Sequence, residues 1–307
     1  MAPLVWLLTG CTSGSGLALA NTLSSHGDLV IATGRSITAR LPPPSHPNHP
    51  NENLTLLDLD VTAPPSAIRA VIEHALSLHG RIDVLVNNAG VSRMAPLEEM
   101  EEGMLRGVFE VNLFGAIKVT QAVLPSMRAR KQGTVVFVGA GMGWVGLPGL
   151  GAYTMTKAAL SLFAESLQKE ITPFGLRSVV FELGGFDSDL MVPREGQPFA
   201  QAPEADEYVE LFGKVYGGGG IPPSPGDVNK LPQAIIDVVK GEGLAAGRPF
   251  PVRVVLGPDA LDLVRQKCSE QLQLLDAWED VSLSVMYEGR RGPSKWLMDG
   301  TSMLNKS

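Results

Sequence analysis

Short, uninterrupted apolar runs alternate along this chain with longer segments in which apolar residues recur every three or four positions. Runs that are apolar at every position are typical of strands covered on both faces, as in a parallel sheet. Runs that are apolar at all or nearly all positions occupy residues 4–8, 29–32, 54–57, 84–86, 134–138, 178–181 and 252–256, with Thr55, Thr134, Ser178 and Arg253 as the polar exceptions. The alternation predicts an α/β protein, a single Rossmann-type domain over residues 1–307. Its doubly wound parallel sheet would have about seven strands, with helices on both faces.

Charge and cysteine content exclude several classes of function. The chain has 25 Lys+Arg against 32 Asp+Glu, so it lacks the basic surface that binding to a phosphate backbone requires. Its two cysteines, Cys11 and Cys268, are too few for a disulfide framework or a Cys-based zinc site. No apolar window approaches the ~20 residues of a membrane span. We therefore predict a cytoplasmic protein that binds no nucleic acid and has no membrane span.

A glycine-rich turn, Thr9-Gly10-Cys11-Thr12-Ser13-Gly14-Ser15-Gly16, directly follows the first apolar run and precedes a helical segment. Small residues at such a turn let a pyrophosphate approach backbone N–H groups at a helix N-terminus. The predicted cofactor contacts here are Gly10, Thr12, Ser13, Gly14, Ser15 and Gly16. A turn that needs glycine for its geometry alone is the alternative, and the position after the first strand argues against it.

The second apolar run ends in Thr33-Gly34-Arg35-Ser36, without the carboxylate that NAD-selective sites usually place there. The planar guanidinium of Arg35 can pair with a 2′-phosphate, and Ser36 can add a neutral donor. This pattern favours NADP(H) as the cofactor. The alternative is a solvated arginine in a loop.

Two segments interrupt the alternation of strands and helices. Residues 42–50 are rich in Pro and contain His46 and His49 without a nearby acidic or Cys ligand, so we predict a surface loop and no metal site. Residues 184–226 show only one short helical pattern, at Tyr208, Leu211, Phe212 and Val215. A segment of that length is too long for an ordinary connection, and we predict that it forms a substrate-binding lid.

Tyr153 and Lys157 have the residue types and spacing of an acid/base pair. Reduction of a ketone needs a proton donor at the carbonyl oxygen, and a tyrosine serves if a nearby cation lowers its pKa of about 10. Residues four apart lie on one face of a helix, so the ammonium can sit near the phenol. Because the pair follows the 134–138 strand and a glycine-rich turn lies upstream, we predict that it is catalytic.

Taken in order, these motifs resemble the classical short-chain dehydrogenase/reductase family, from about residue 3 to at least residue 190. The motifs are the turn at Thr9 to Gly16, Asp60-Val61, Asn87-Asn88-Ala89-Gly90, Asn112 and Tyr153-Thr154-Met155-Thr156-Lys157. Within the family the chain is most similar to the NADPH-using, retinol- and hydroxysteroid-dehydrogenase-like branch.

The resemblance implies further site residues. It places Asp60 and Val61 beside the adenine, and Asn88, Ala89 and Gly90 at the adenosine ribose. It places Gly184, Gly185 and Ser188 near the nicotinamide, and it makes Asn112 the anchor of a water that leads from Lys157 to solvent.

One member of the family's catalytic set is missing. The family has a serine thirteen positions before the tyrosine, whose hydroxyl polarises the substrate carbonyl, and that position here is Ala140. Natural divergence, an engineered Ser→Ala substitution and a local misalignment are the competing explanations. Misalignment is disfavoured because no Ser or Thr lies between Thr134 and Thr154. Leu183 and Asp187 also depart from the family pattern, which favours divergence without deciding the matter.

The function that we predict is NADPH-dependent reduction of a ketone, or the reverse oxidation of a secondary alcohol. Apolar residues near the expected pocket suggest a medium or large hydrophobic substrate, such as a polyketide, terpenoid or steroid-like ketone of secondary metabolism. They are Met142, Trp144, Val145, Leu147, Phe186, Leu190, Met191, Tyr208 and Phe212. A non-redox enzyme (isomerase, dehydratase or cyclase) that uses NADP(H) structurally is the alternative, and a sensor without turnover is a third hypothesis.

The remaining expectations concern partners and minor candidates. The family resemblance suggests a homodimer or homotetramer formed through the helices that contain Asn112 and Tyr153. We interpret Glu98, Glu99, Glu101 and Glu102 as a solvated turn that compensates a helix dipole. Cys11 is expected to be a small buried filler rather than a reactive thiol.

Overall fold

The computed structural model describes residues 2–41, 52–188, 190, 199–217 and 225–287. His46, His49 and Met191 lie outside these residues, and so do parts of the predicted lid. The described residues form a seven-stranded parallel sheet in the order β3-β2-β1-β4-β5-β6-β7. The strands are β1 (Val5–Leu8), β2 (Leu29–Gly34), β3 (Leu54–Asp58), β4 (Val84–Asn87), β5 (Gly133–Ala140), β6 (Leu176–Leu183) and β7 (Arg253–Leu256). The predicted fold class is confirmed.

Helices connect the strands and cover both faces of the sheet. They are α1 (Gly14–Ser25), α2 (Ile37–Arg40), α3 (Pro65–His79), α4 (Glu102–Phe109), α5 (Ala116–Arg130), α6 (Gly151–Ile171), α7 (Asp206–Tyr216), α8 (Leu231–Lys240), α9 (Pro258–Ala277) and α10 (Glu279–Leu283). A π-helix, Glu110–Gly115, joins α4 to α5.

Burial of both faces of the sheet explains why its strands are rich in apolar residues without alternation. In β1, Val5 and Leu7 point into one buried cluster, and Trp6 and Leu8 point into the other. The first cluster is closed by apolar side chains of α3, α5 and α6, and the second by those of α1 and α8. Successive strand side chains face opposite sides, so a strand that is buried on both faces has no regular alternation of polar and apolar residues.

Several strands are longer than their apolar runs. β5 continues through Gly139 to Ala140, and Ala140 pairs in register with Leu183 of β6. Glycine and alanine can extend a strand without adding much hydrophobicity. The apolar run therefore predicted an end at residue 138, two residues before the strand ends. Ala140 is therefore the last residue of β5 and not a residue of the loop beyond it.

The helix Glu102–Arg130, which comprises α4, the π-helix and α5, is long and apolar enough to meet the criteria for a membrane span. Those criteria are length and composition, which the core helices of globular proteins also meet. Here Val119, Val123 and Met127 are buried in the first cluster, against the sheet. Packing against the sheet therefore explains the apolar character of α5.

Candidate active site

The carboxyl ends of the strands surround one large cavity. β1 lies between β2 and β4, so the chain reverses its winding direction between β1 and β4, where α/β sheets bind their ligands. The cavity has a volume of about 880 Å³ and extends from the glycine-rich turn to the segment after β6. Its size is within the range of small-molecule sites.

Backbone crowding at the glycine-rich turn explains its glycines. Gly10 has a left-handed φ of +73°, and a Cβ there would lie 2.7 Å from the Cα of Ala89. A Cβ on Gly16 would lie 2.4 Å from the carbonyl oxygen of Gly10. The turn is thus pressed against the loop after β4, and α1 begins with its N-terminus at the cavity.

Asn88 holds the turn in this position. Its Nδ2 donates to the carbonyl oxygens of Thr9 (3.0 Å) and Gly10 (3.1 Å), and its Oδ1 accepts from Ser15 Oγ (2.9 Å). The described lining includes Gly10, Thr12, Ser13, Gly14, Ser15, Asn88, Ala89 and Gly90. Gly16 lies beneath the turn and is absent from the described lining. The small residues and the open helix end fit a pyrophosphate.

Three residues predicted for the adenosine end of the cofactor also line the cavity. Asp60, Val61 and Arg35 line the cavity, and Asp60 Oδ1 accepts hydrogen bonds from the backbone and hydroxyl of Thr62. The structure adds a second guanidinium, that of Arg40, which the sequence analysis did not select. Ser36 has a left-handed φ of +49° before α2 and is absent from the described lining. Two guanidiniums therefore line the cavity.

Tyr153 and Lys157 lie together on α6 at the cavity wall. Both are buried, and Lys157 Nζ lies 5.6 Å from the centroid of the Tyr153 ring. Lys157 Nζ also donates a 2.6 Å hydrogen bond to the carbonyl oxygen of Val138. The predicted spacing on one helix face is therefore present in the structure.

The pKa of the Tyr153 phenol is raised in the structure, whereas the sequence analysis expected the Lys157 ammonium to lower it. Burial raises the pKa of Tyr153 above its ordinary value, and it lowers the pKa of Lys157 to about 8. Both groups lose solvation of their charged forms, and for Tyr153 this cost is the largest influence. The phenol consequently keeps its proton near neutral pH, as an acid that protonates a carbonyl oxygen must.

Asn112 lies in the π-helix, where the irregular turn brings its amide onto the loop after β4. Its Nδ2 donates to Val91 O (2.9 Å) and Thr156 Oγ1 (3.1 Å), and its Oδ1 accepts from Val91 N (2.8 Å). A methyl group at Gly90 would lie 3.6 Å from Asn112 Oδ1 and 3.7 Å from Lys157 Nζ, so these two groups converge there. One lone pair of Oδ1 is still available to a water.

Ala140 lines the cavity with Gly139, Gly141 and Tyr153, at the end of β5. A methyl group supplies no hydrogen-bond donor to a substrate oxygen. Beyond it, Trp144 donates to Glu182 Oε2 (2.8 Å), and the fully buried Glu182 also accepts from Ser161 and Arg253. This network fixes the turn that follows position 140, and it directs Trp144 away from the pocket.

The turn after β6 places Gly184, Gly185 and Ser188 at the cavity. The expected approach of Gly184, Gly185 and Ser188 to the nicotinamide stays a prediction, and the structure shows that both backbone polar groups of Gly185 have partners within the protein. Gly185 N–H donates to Asp259 Oδ2 (2.7 Å), and its carbonyl oxygen accepts from Gly226 N (2.9 Å). The sequence pattern did not include Asp259, which lies 74 positions further on.

The acidic run before α4 only partly matches the predicted solvated turn: Glu101 and Glu102 are exposed at the start of α4, whereas Glu98 and Glu99 have partners elsewhere in the chain. Glu98 and Glu99 precede the helix, and Glu99 accepts from the backbone N–H groups of Glu204 (2.8 Å) and Ala205 (3.0 Å). Tyr208 donates to Glu98 Oε2 at 2.5 Å. These carboxylates therefore hold the segment that leads into α7.

The apolar part of the cavity differs from the predicted set. Met142, Leu147, Phe186 and Leu190 line it, together with Val91, Met94, Phe199, Tyr216 and Leu263. Trp144, Val145, Tyr208 and Phe212 are absent from the described lining. Phe212 instead packs over Gly149, where an added Cβ would lie 2.8 Å from its ring.

Cys11 is a buried filler, as expected. Its side chain is fully buried, and burial raises the pKa of its thiol to about 12. A thiol with that pKa carries almost no thiolate at neutral pH, so it is not a reactive nucleophile.

The doubly wound sheet with a glycine-rich turn at its switch point defines a dinucleotide-binding class of protein. The family model described as short chain dehydrogenase matches residues 4–197. The chain is 32% identical over 290 residues to oxidoreductase BOA17 of Botryotinia fuckeliana, which covers 91% of this chain and 98% of that protein. It is 37% identical over 212 residues to human 17-beta-hydroxysteroid dehydrogenase type 1, and this match covers 64% of the chain and 61% of the human protein.

Among solved structures, a short-chain dehydrogenase from Streptomyces avermitilis is 33% identical, with a TM-score of 0.79 over 94% of this chain and 100% of that one. A gluconate 5-dehydrogenase from Burkholderia cenocepacia in complex with NADP and tartrate is 23% identical, with a TM-score of 0.67 over 85% of this chain and 96% of that one. The second likeness concerns the fold alone. The chain belongs to the short-chain dehydrogenase/reductase family and is an oxidoreductase of the kind that uses NAD(P)(H).

Proposed function

We propose that this chain is an NADP(H)-dependent carbonyl reductase that converts a medium or large hydrophobic ketone to a secondary alcohol, in the cytoplasm. One observation carries the proposal. The buried pair Tyr153 and Lys157 lies on the wall of a cavity that joins a pyrophosphate-sized turn to an apolar compartment.

The described residues fit a nicotinamide dinucleotide. Gly10, Gly14 and the first turn of α1 would hold the pyrophosphate, and Asn88, Ala89 and Gly90 would border the adenosine ribose. Gly184 and Ser188 lie where the nicotinamide end would be held. When bound, the cofactor supplies the hydride for the reduction.

Arg35 and Arg40 support the choice of NADP(H). Both guanidiniums line the cavity beside Gly34, and no described residue forms an ion pair with Arg35. The backbone N–H of Thr38 donates to Asp58 Oδ1 (3.0 Å), which ties α2, the helix that contains Arg40, to the end of β3. A 2′-phosphate would gain charge-assisted hydrogen bonds that a 2′-hydroxyl cannot make.

The chain's own residues account for the proton that the reduction consumes. Tyr153 holds a proton at neutral pH, and we assign its hydroxyl as the donor to the carbonyl oxygen of the substrate. The ammonium of Lys157 stabilises the phenolate that forms, and the Tyr153 phenolate is reprotonated through a water held near Asn112 Oδ1. Ala140 occupies the position from which a serine hydroxyl would polarise the carbonyl. Tyr153 is therefore the one side-chain donor that we assign to the carbonyl oxygen.

The apolar compartment supports a hydrophobic substrate. The side chains of Met94, Met142, Leu147, Phe186 and Phe199 contribute to its wall. Relatives of the chain include proteins named 17-beta-hydroxysteroid dehydrogenase and retinol dehydrogenase, names that denote large apolar substrates. The described parts of the 184–226 segment, including α7, would act as the lid over this compartment.

The methyl group at position 140 also favours a second candidate function. A non-redox reaction such as isomerisation, dehydration or cyclisation would use the acid Tyr153 with NADP(H) held as a structural group. It would not need a hydroxyl at position 140 that polarises the carbonyl for hydride attack.

The cofactor assignment is tested by initial rates of ketone reduction with NADPH and with NADH. The Arg35→Gln variant should raise KM for NADPH by roughly 10- to 100-fold and leave KM for NADH nearly unchanged, because only the 2′-phosphate contact is lost. Arg106→Gln on the exposed surface of α4 is the control. Equal KM values for NADPH in wild type and Arg35→Gln would contradict the assignment.

A further inference from the structure

Helix α9 begins at the active-site edge of the sheet, immediately after β7. Asp259, its second residue, lines the cavity and accepts the 2.7 Å hydrogen bond from Gly185 N–H. The next residue, Ala260, is buried against Gly141, where an added Cβ would lie 2.7 Å from the Cβ of Ala260. The first turn of α9 therefore touches both turns that follow β5 and β6.

The position of the Asp259 carboxylate also explains why residue 184 is a glycine. A Cβ on Gly184 would lie 2.0 Å from Asp259 Oδ1, a separation that no side chain tolerates. Gly184 is outside the residues with positive φ, so its backbone does not itself require glycine. The space that Gly184 leaves is the space that the carboxylate occupies.

Gly185 connects this carboxylate to the far end of the proposed lid. Its carbonyl oxygen accepts from Gly226 N (2.9 Å), and Asp187 N donates to Gly226 O (3.2 Å). Phe186 and Gly226 form a parallel bridge. One short ladder therefore joins residues near the start of the proposed lid to Gly226 at its end.

We propose that Asp259 is a positioning residue, which anchors the base of the lid and the nicotinamide-side turn through its hydrogen bond to Gly185. A carboxylate is suited to this role, because a charged acceptor binds an N–H more strongly than a neutral one and is favoured in the first turn of a helix. Asp259 acts through the Gly185 backbone and not on the reacting atoms. The claim that this turn is positioned for a nicotinamide and a ketone rests on the proposed function. The claim that Asp259 anchors the turn does not depend on it.

The test compares Asp259→Ala and Asp259→Asn with Asp262→Ala, a matched control for an exposed acid on the same helix. Amide hydrogen exchange of peptides spanning residues 184–187 and 225–227 is measured on the cofactor-free protein, where no turnover is needed. Asp259→Ala should speed exchange roughly tenfold or more in both peptides, because the anchoring hydrogen bond is lost. Asparagine retains an acceptor oxygen and should restore much of the protection.

Kinetics provide the second readout. Asp259→Ala should lower kcat/KM for ketone reduction by about 10- to 100-fold, mainly through higher KM for ketone and NADPH, because the turn and the lid base are misplaced. Asp259→Asn should lie between it and wild type. A purely structural role would lower thermal stability without this division between KM and kcat and without rescue by asparagine.

Gly184→Ala tests the same contact from the other side. Its methyl group would displace the carboxylate, so exchange of the 225–227 peptide should rise as it does in Asp259→Ala. In the Gly184→Ala, Asp259→Ala double variant the clash is gone, and the second substitution should add little. Gly184→Ala and Asp259→Asn carry the test if Asp259→Ala fails to fold.

Exchange and KM values in Asp259→Ala that equal those of Asp262→Ala would overturn the proposal, as would fully additive effects in the double variant. If exchange changes as expected but wild type reduces no ketone, the anchoring role stands and the proposed function fails.

Discussion

At the scale of single residues, Lys157 is held at a cost to stability. Its side chain is buried, and burial lowers its pKa from 10.5 to about 8. A difference of this size corresponds to about 3 kcal/mol of destabilisation at neutral pH, since each pKa unit is about 1.4 kcal/mol. The bond to the Val138 carbonyl offsets part of it. Sites tuned for chemistry commonly carry such costs.

Lys157→Met should therefore stabilise the cofactor-free protein while it removes activity. The unfolded chain binds the lysine proton more tightly than the folded chain does, so the free energy of unfolding of wild type should rise as pH increases from about 8 to about 10. Lys157→Met should be more stable by about 1 to 3 kcal/mol at pH 7 and should lack this rise. Urea unfolding from pH 7 to 10 measures both quantities.

The exposed Lys214, replaced by Met in the same way, is the control and should behave as wild type. Equal or lower stability of Lys157→Met at pH 7, with the wild-type pH dependence intact, would show that burial of this ammonium is not costly.

At the scale of elements, α7 is held by a residue from a distant turn. Ala205, at the N-terminal boundary of α7, has no side-chain oxygen to cap the helix. The Glu99 carboxylate instead accepts from the N–H groups of Glu204 and Ala205. It therefore serves as the cap of this helix and connects the lid to the loop after β4.

Glu99→Ala should loosen α7 and weaken substrate binding. We expect faster proteolysis within residues 199–217 and a KM for the ketone raised by roughly 5- to 30-fold, because loss of a cap costs about 1 to 2 kcal/mol. Limited proteolysis and steady-state kinetics are the measurements. Glu102→Ala, which removes only an exposed ion pair with Arg106, should leave both unchanged. Identical proteolysis of the two variants would rule out the capping role.

The sequence predicted those parts of the fold that local pattern determines. Continuous apolar runs located all seven strands, and the spacing of Tyr153 and Lys157 located the pair on one helix face. Strand ends were missed at Gly139 and Ala140, where small residues carry no hydrophobic signal. The roles of Glu99 and Asp259 were missed because their partners are distant in the chain. The partners of Glu99 lie 105 and 106 positions away and that of Asp259 lies 74 positions away, and no local sequence pattern indicates such contacts. For Asp259, its position directly after the last strand of a parallel sheet was an available signal.

At the scale of the whole molecule, the helices predicted to form a homodimer or homotetramer expose apolar side chains. Phe114 in the π-helix and Met155 and Leu162 of α6 are 48%, 42% and 60% exposed. Large apolar side chains grouped on neighbouring helices are typical of surfaces that bury each other in symmetric oligomers. This supports the predicted association through these helices.

We predict that wild type is a homodimer or homotetramer and that Leu162→Asp is a monomer, because a charge buried in the predicted interface would lose its hydration. Light scattering coupled to size-exclusion chromatography measures the mass. Leu275→Asp is the matched control, since Leu275 on α9 is 65% exposed and lies outside the predicted interface. A monomer formed by Leu275→Asp and not by Leu162→Asp would locate the interface on α9 instead.

The central claim is that this chain reduces a ketone with Tyr153 as the acid and without the usual hydroxyl at position 140. The most direct test follows NADPH consumption and product formation on a panel of bulky hydrophobic ketones, for wild type, Ala140→Ser and Tyr153→Phe. Wild type should form one alcohol per NADPH consumed. Ala140→Ser should be faster by roughly 10²- to 10³-fold and Tyr153→Phe slower by roughly 10²- to 10⁴-fold. Rearranged product without NADPH consumption, in wild type and in Ala140→Ser alike, would contradict the account.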